Sequence, residues 1–163
     1  MKLNVLTACS RPENLDRISE SVFAYRPEAM QVNWLVRLDP VPAVGGQRVK
    51  NDLIDMVTDG WVVILDDDTV MHPDFKQRIQ EEARPDVDVI FFGQERPRTG
   101  VALPEARRGL IDAGQACFRR SLVGQTRIPD FYDGDGWFLE TLAQRGRAIY
   151  LSDVLSFYNQ LAD

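Results

Sequence analysis

The feature that most constrains this chain is a regular switch between two hydrophobic periods across its first 93 residues. Leu3–Ala8 reads as a strand, and Leu15, Ile18, Val22 and Tyr25 then recur at helical spacing. Val32–Leu38 reads as a second strand. Pro40, Pro42, Gly45 and Gly46 mark a loop, and Val49, Leu53 and Val57 form a helix expected to close at Gly60. Trp61–Leu65 is apolar without alternation, as a strand covered on both faces should be. Phe75, Ile79 and Ala83 make a third helical stripe, and Val87–Gly93 a fourth strand. Such alternation specifies an α/β fold with a Rossmann-like, mostly parallel sheet and helices on both faces, and a ligand crevice at the carboxyl ends of the strands.

At 163 residues, 44% hydrophobic and 27% charged, the chain suits a single domain. Its longest clean apolar run, Trp61–Leu65, is far too short for a membrane span. The polar, short amino terminus lacks the apolar core of a secretory signal, so a cytoplasmic location is expected. Cys9 and Cys117 lie in no C-x-x-C pair and read as reduced core thiols. A net charge of −6 disfavours general DNA packaging, although Arg96, Arg98, Arg107 and Arg108 leave a local nucleic-acid contact open. The second part of the chain is less regular. Gln94 to Arg108 shows no clean period and reads as a mobile or partner-facing excursion. Leu110–Asp112 and Ala116–Phe118 read as short strand pieces, Phe138, Leu142 and Ala143 as a helix stopped by Gly146, and Ala148–Leu151 as a late strand.

Two acidic groups carry the chemistry. Asp66-Asp67-Asp68 follows the buried strand; if the segment stays extended, Asp66 and Asp68 share one side and Asp67 takes the other. Three adjacent negative charges repel, and a divalent cation such as Mg²⁺ or Mn²⁺ would remove that penalty while taking further oxygens from a nucleoside diphosphate. The simpler alternative is a solvated loop whose aspartates cap the helix near Asp74. Ser10-Arg11-Pro12-Glu13 has capping-box spacing before the first helix. The second acidic group is Asp130, Asp133 and Asp135, before a helix expected from Trp137; Asp135 can serve as its N-cap, as a base facing the crevice, or as both.

In combination, Val5-Leu6-Thr7-Ala8-Cys9-Ser10-Arg11-Pro12, Val49-Lys50-Asn51-Asp52-Leu53, the D-x-D strand Gly60–Thr69 with Pro73-Asp74-Phe75, and Asp133–Gly146 resemble the GT-A-fold glycosyltransferases, especially the large inverting family. The likeness spans about residues 3 to 150. It implies one glycosyltransferase domain over 1–163, with residues 1–93 as the nucleotide-sugar-binding half and 94–163 as the acceptor-side half. Thr7, Ala8, Ser10, Arg11, Lys50, Asn51, Asp66 and Asp67 would then bind the donor, and Asp68 with Asp66 would hold Mn²⁺ or Mg²⁺. Asp135, with Asp133 as substitute, would deprotonate the acceptor. Asp112, Gln115 and Trp137 would contact acceptor or sugar. The implied activity moves a hexose from a nucleotide-diphosphate sugar, such as UDP-glucose, to an unidentified hydroxyl with inversion. The only histidine, His72, directly follows the D-x-D strand, so the carboxy-terminal metal-binding histidine of many relatives has only Tyr158 and Asn159 as substitutes. The chain is shorter than most relatives, which implies a second subunit or the acceptor itself completing the site. The rivals are a nucleotidyltransferase, disfavoured by the absence of glycines in Ala8–Pro12, and a non-catalytic nucleotide- or metal-binding module.

Overall fold

The computed structural model describes residues 1–39 and 46–161. Strands β1 (Lys2–Cys9), β2 (Gln31–Leu38), β3 (Trp61–Ile64), β4 (Val70–Met71), β5 (Val89–Arg96), β6 (Gly100–Ala102), β7 (Ala116–Arg119) and β8 (Ala148–Phe157) form one sheet. Helices α1 (Leu15–Phe23), α2 (Gln47–Met56), α3 (Phe75–Glu82), α4 (Arg120–Val123) and α5 (Gly134–Arg145) accompany it. The spatial order is β2-β1-β3-β7-β5-β8-β4, with β6 folded onto β5. Strands β1, β2 and β3 are mutually parallel, as are β5 and β8, whereas β7 runs antiparallel between β3 and β5.

Side-chain alternation on the strands splits the core into two layers. Leu3, Val5, Val63, Ile90 and Phe92 meet Ile18 and Val22 of α1 and Phe75 and Ile79 of α3. Leu6, Val62, Ile64 and Phe91 meet Leu53 and Ile54 of α2 and Phe138 and Leu142 of α5. Period-2 alternation makes this division, because each strand sends successive residues to opposite faces. Among the described residues, no helix is long and apolar enough to cross a membrane.

Several local expectations are corrected. Ser10 does not cap α1; a 3-10 turn at Pro12–Asn14 precedes the helix, and the Ser10 hydroxyl is drawn instead to Asp67. Helix α2 ends at Met56, before Gly60, whose φ of +89° belongs to the turn into β3; a Cβ there would meet the Lys2 carbonyl oxygen at 2.7 Å. Gln94 to Arg108 begins as a hairpin, with Gln94, Glu95 and Arg96 paired to Ala102, Val101 and Gly100, and its exposed residues lack the apolar alternation of a buried strand. Leu110–Asp112 is not a strand, because Asp112 caps a 3-10 turn at Ala113–Gln115. Helix α5 starts at Gly134, which places Asp135 inside its first turn and Asp133 at the N-cap. Strand β8 continues from Leu151 to Phe157 and so carries Tyr158 and Asn159 back toward the ends of β1 and β3. The loop expected from Pro40 lies outside the described residues apart from Gly46.

One buried charge is purely architectural. The ammonium of Lys76, fully buried on α3, donates to the carbonyl oxygens of Ser21 at 3.1 Å and Val22 at 2.9 Å, so it satisfies the carboxyl end of α1. Burial pulls its pKa from 10.5 down to about 8. Between those values the unfolded chain binds the extra proton, so stability gains from rising pH. The unfolding free energy of the wild-type protein relative to Lys76→Met should therefore increase from pH 8 to pH 10 in denaturant titrations.

Candidate functional site

The three aspartates leave β3 in a turn, and each has its own partners. Asp67 points back to the end of β1, where its Oδ2 accepts from Ser10 N–H at 2.5 Å, Ser10 Oγ at 2.8 Å and Arg11 N–H at 2.8 Å. Its carbonyl oxygen accepts from Asn14 Nδ2 at 2.9 Å. Asp68 accepts from Arg11 Nη1 at 2.6 Å, and its carbonyl oxygen accepts from the Leu161 N–H at 3.0 Å. With the Asn159 amide turned to satisfy both sides, its nitrogen reaches the Asp68 oxygens at 3.3 and 3.1 Å. Asp66 faces Lys50, whose Nζ lies 2.8 Å from Oδ1. Protein groups therefore offset the repulsion within the triplet, which removes the electrostatic argument that a cation must do so. The aspartates do not cap α3, whose N-cap Asp74 makes no side-chain capping bond.

Ala8, Ser10, Arg11, the triplet, Tyr158 and Asn159 line a cleft of about 190 Å³. A second cleft of about 290 Å³ shares Asp66 and Tyr158 with it and adds Gln47, Lys50, Asp112, Tyr132, Asp133 and Asp135. Lys50, only 3% exposed, stands at the junction. Burial disfavours its charge, but Asp66, aided by Asp135 and Asp112, outweighs burial and leaves its pKa above the ordinary value. The Asp112 carboxyl is pushed up to about 6 by burial and then by the charges of Asp66 and Asp135. Asp135 is raised as well, chiefly by burial, although it accepts from the N–H groups of Gly136 at 2.9 Å and Ala113 at 3.2 Å. Asp133 differs: Arg108 grips it with Nε at 2.6 Å and Nη2 at 3.0 Å and holds its carboxyl below the usual range. A base needs a raised carboxylate that no cation grips, which favours Asp135 over Asp133.

The structure thus brings Ala8, Ser10, Arg11, Lys50, Asp66, Asp67, Asp68, Asp112, Asp133 and Asp135 to two joined clefts. It does not bring Thr7, Asn51, Gln115 or Trp137 to their walls. Buried Thr7 accepts from Trp34 Nε1 at 3.0 Å. Asn51 is bonded to Ile128 through both ends of its amide, at 2.8 and 2.9 Å, and so ties α2 to the loop before α5. Gln115 lies under the second cleft and joins Asp112, Arg96 and the Ala102 carbonyl. His72 lies against Phe157 with the rings tilted by 41° and accepts from the Asp74 N–H, apart from both clefts. Sequence reasoning overlooked Gln47 and the packing of Arg96 over the Tyr158 ring. Gln47 lies one helical turn before Lys50, a spacing that could have flagged it.

Among the described residues, no group of three or more His, Cys, Asp or Glu side chains is arranged to hold a metal ion. Asp66 and Asp68 both line the first cleft with hard carboxylate oxygens, the ligand type that Mg²⁺ and Mn²⁺ take, and each is paired with a cation of the protein, Lys50 and Arg11 respectively.

No family model and no curated protein matches the chain. Solved structures do. TarS 1–349 of S. aureus superposes with a TM-score of 0.68 at 13% identity, covering 96% of this chain and 60% of that one. The fold is GT-A-like. The same TarS fragment in complex with UDP-GlcNAc gives a TM-score of 0.70 at 12% identity, covering 96% of this chain and 58% of that one. A glycosyltransferase involved in glycosylating the major capsid of PBCV-1 gives 0.55 at 14% identity, covering 96% of this chain and 92% of the other. The chain thus spans about three fifths of the TarS fragment, and identities this low establish the likeness of fold alone.

The triple acceptance by Asp67 yields a structural prediction. Asp67→Ala leaves the Ser10 and Arg11 N–H groups unpaired and should cost about 1–3 kcal/mol, read as a lower denaturation midpoint by circular dichroism.

Proposed function

We propose that this chain is a glycosyltransferase that moves a hexose from a uridine-diphosphate sugar to a hydroxyl acceptor, with inversion. The carrying observation is the pair of clefts joined at Asp66: one has a carboxylate turn and Arg11, the other a half-buried, raised carboxyl on Asp135. The GT-A-like fold and neighbours solved with UDP-GlcNAc and UDP support the donor class.

In this reading the nucleotide and diphosphate lie in the first cleft and the sugar extends toward the second. Asp135 takes the proton of the acceptor hydroxyl, and the oxygen forms a bond to the anomeric carbon. The bond from that carbon to the phosphate oxygen breaks, and its electron pair leaves with the diphosphate. Arg11 and Lys50 supply positive charge near the departing anion. Asp68, with Asp66, would hold a divalent ion, whose chemistry is to neutralise the leaving diphosphate.

The variants separate the two candidate bases. Asp135→Asn should lower turnover by about 10²- to 10⁴-fold, whereas Asp133→Asn, which loses only a carboxylate neutralised by Arg108, should change it far less. Because the base acts deprotonated, the wild-type rate should rise with pH through a midpoint above the ordinary carboxylate range, measured as UDP release from UDP-glucose or UDP-N-acetylglucosamine. Donor binding without UDP release at any pH would instead identify a non-catalytic module. In calorimetry, Mn²⁺ should tighten UDP binding to the wild-type protein and not to Asp68→Ala; equal affinity with and without the ion would remove the metal from the proposal.

A further inference from the structure

Gln47 opens α2 directly after Gly46, whose φ of +71° turns the chain into the helix. A Cβ on Gly46 would touch the Ala8 Cβ at 3.0 Å, so this helix start is pressed against the end of β1. The Gln47 residue is 2% exposed, and it lines the second cleft with Lys50 and Asp66. Among the described residues its Oε1 has no hydrogen-bond partner. The neighbouring polar groups contrast with it. Lys50 pairs with Asp66, Asp112 accepts from Gly114 N–H at 2.9 Å, and Asp135 accepts from two backbone N–H groups. The other buried side-chain oxygen without a partner among the described residues, on Gln80, belongs to α3 and lines neither cleft.

A buried acceptor without a donor is costly in the empty protein, and a ligand that supplies an O–H or N–H regains that energy on binding. We infer that Gln47 is a specificity-determining contact to the donor sugar, its Oε1 accepting a hydrogen bond from a hydroxyl or amide substituent of the hexose ring. A carbonyl oxygen repels phosphate oxygens, so this contact reads the sugar and not the diphosphate. Its position beside Asp66 and Lys50 puts it on the donor side of the second cleft. The inference rests on the glycosyltransferase reading and names the residue that reads the transferred group.

The test compares the wild-type protein with Gln47→Met and Gln47→Ala by titration with UDP, UDP-glucose and UDP-N-acetylglucosamine, alongside thermal melts of the unliganded proteins. Removing the oxygen should leave UDP affinity unchanged and weaken at least one UDP-sugar about 10-fold or more. Gln47→Met, which fills similar volume without an unpaired oxygen, should melt at or above the wild-type temperature. If both variants bind both sugars as tightly as the wild type, the oxygen serves only a water and the inference is overturned. Equal losses for UDP and UDP-sugars would also overturn it, by showing a packing role. A wild-type protein that binds no UDP-sugar at all overturns the donor reading itself, and this inference with it.

Discussion

The site depends on the carboxylate of Asp67 accepting two backbone N–H groups and one hydroxyl from the end of β1. Charge-assisted bonds of this kind are strong, and burial of Asp67 to 5% exposure removes competition from water. They lock the turn after β3 to the turn after β1. With Asp67 fixed, its neighbours on either side are carried into the cleft, Asp66 toward Lys50 and Asp68 toward Arg11. The carboxy-terminal segment completes this arrangement through the Leu161 N–H, which bonds the Asp68 carbonyl, while Asn14 of the turn after β1 bonds the Asp67 carbonyl. The middle aspartate is thus an anchor, and the outer two are the ones left to face a ligand.

Much of the first 93 residues was legible because its signals are local. Strand and helix periods there are dictated by which face each residue buries, and the two core layers follow directly from alternation along β1, β3 and β5. The order of strands in space was not legible. That β7 enters antiparallel between β3 and β5 depends on pairings such as Val62 with Phe118 and Ile90 with Cys117, which no short window of sequence contains. The β5–β6 hairpin and the last half of β8 were hidden for a related reason, since largely polar or exposed segments such as Glu95–Ala102 lack the apolar period that marks a half-buried strand.

Residue chemistry was legible at the same depth. Acidic triplets and the Asp133–Asp135 segment stand out by type, and the structure brings them to adjoining clefts. Asn51, Gln115 and Thr7 are also polar residues at promising positions, yet each is occupied by a backbone or side-chain partner far along the chain: Ile128 for Asn51, Ala102 for Gln115, Trp34 for Thr7. A sequence shows that a side chain is polar but not whether its hydrogen bonds are already made. Gln47 is the converse, an inconspicuous residue whose interest lies in a bond that is missing.

The balance of charge also bears on how a diphosphate would enter. The two clefts gather Asp39, Asp66, Asp67, Asp68, Asp112, Asp133 and Asp135 against the cations Arg11, Lys50 and Arg96, of which Arg11 and Lys50 are already paired with carboxylates. An anion arriving alone therefore meets net negative charge, in surroundings where desolvation and then the neighbouring carboxylates already raise Asp112 and Asp135. Under the proposed function the opposing charge comes from an ion that travels with the diphosphate, from Arg96, which is held by the neutral amides of Gln94 and Gln115, or from Arg11 turning from Asp68 to the phosphates. Arg11 is suited to the last route, because its side chain is 41% exposed while Lys50 is sealed at the junction. A divalent ion taking Asp68 would favour the same turn, since it competes with the guanidinium for one carboxylate and so frees the arginine for the substrate.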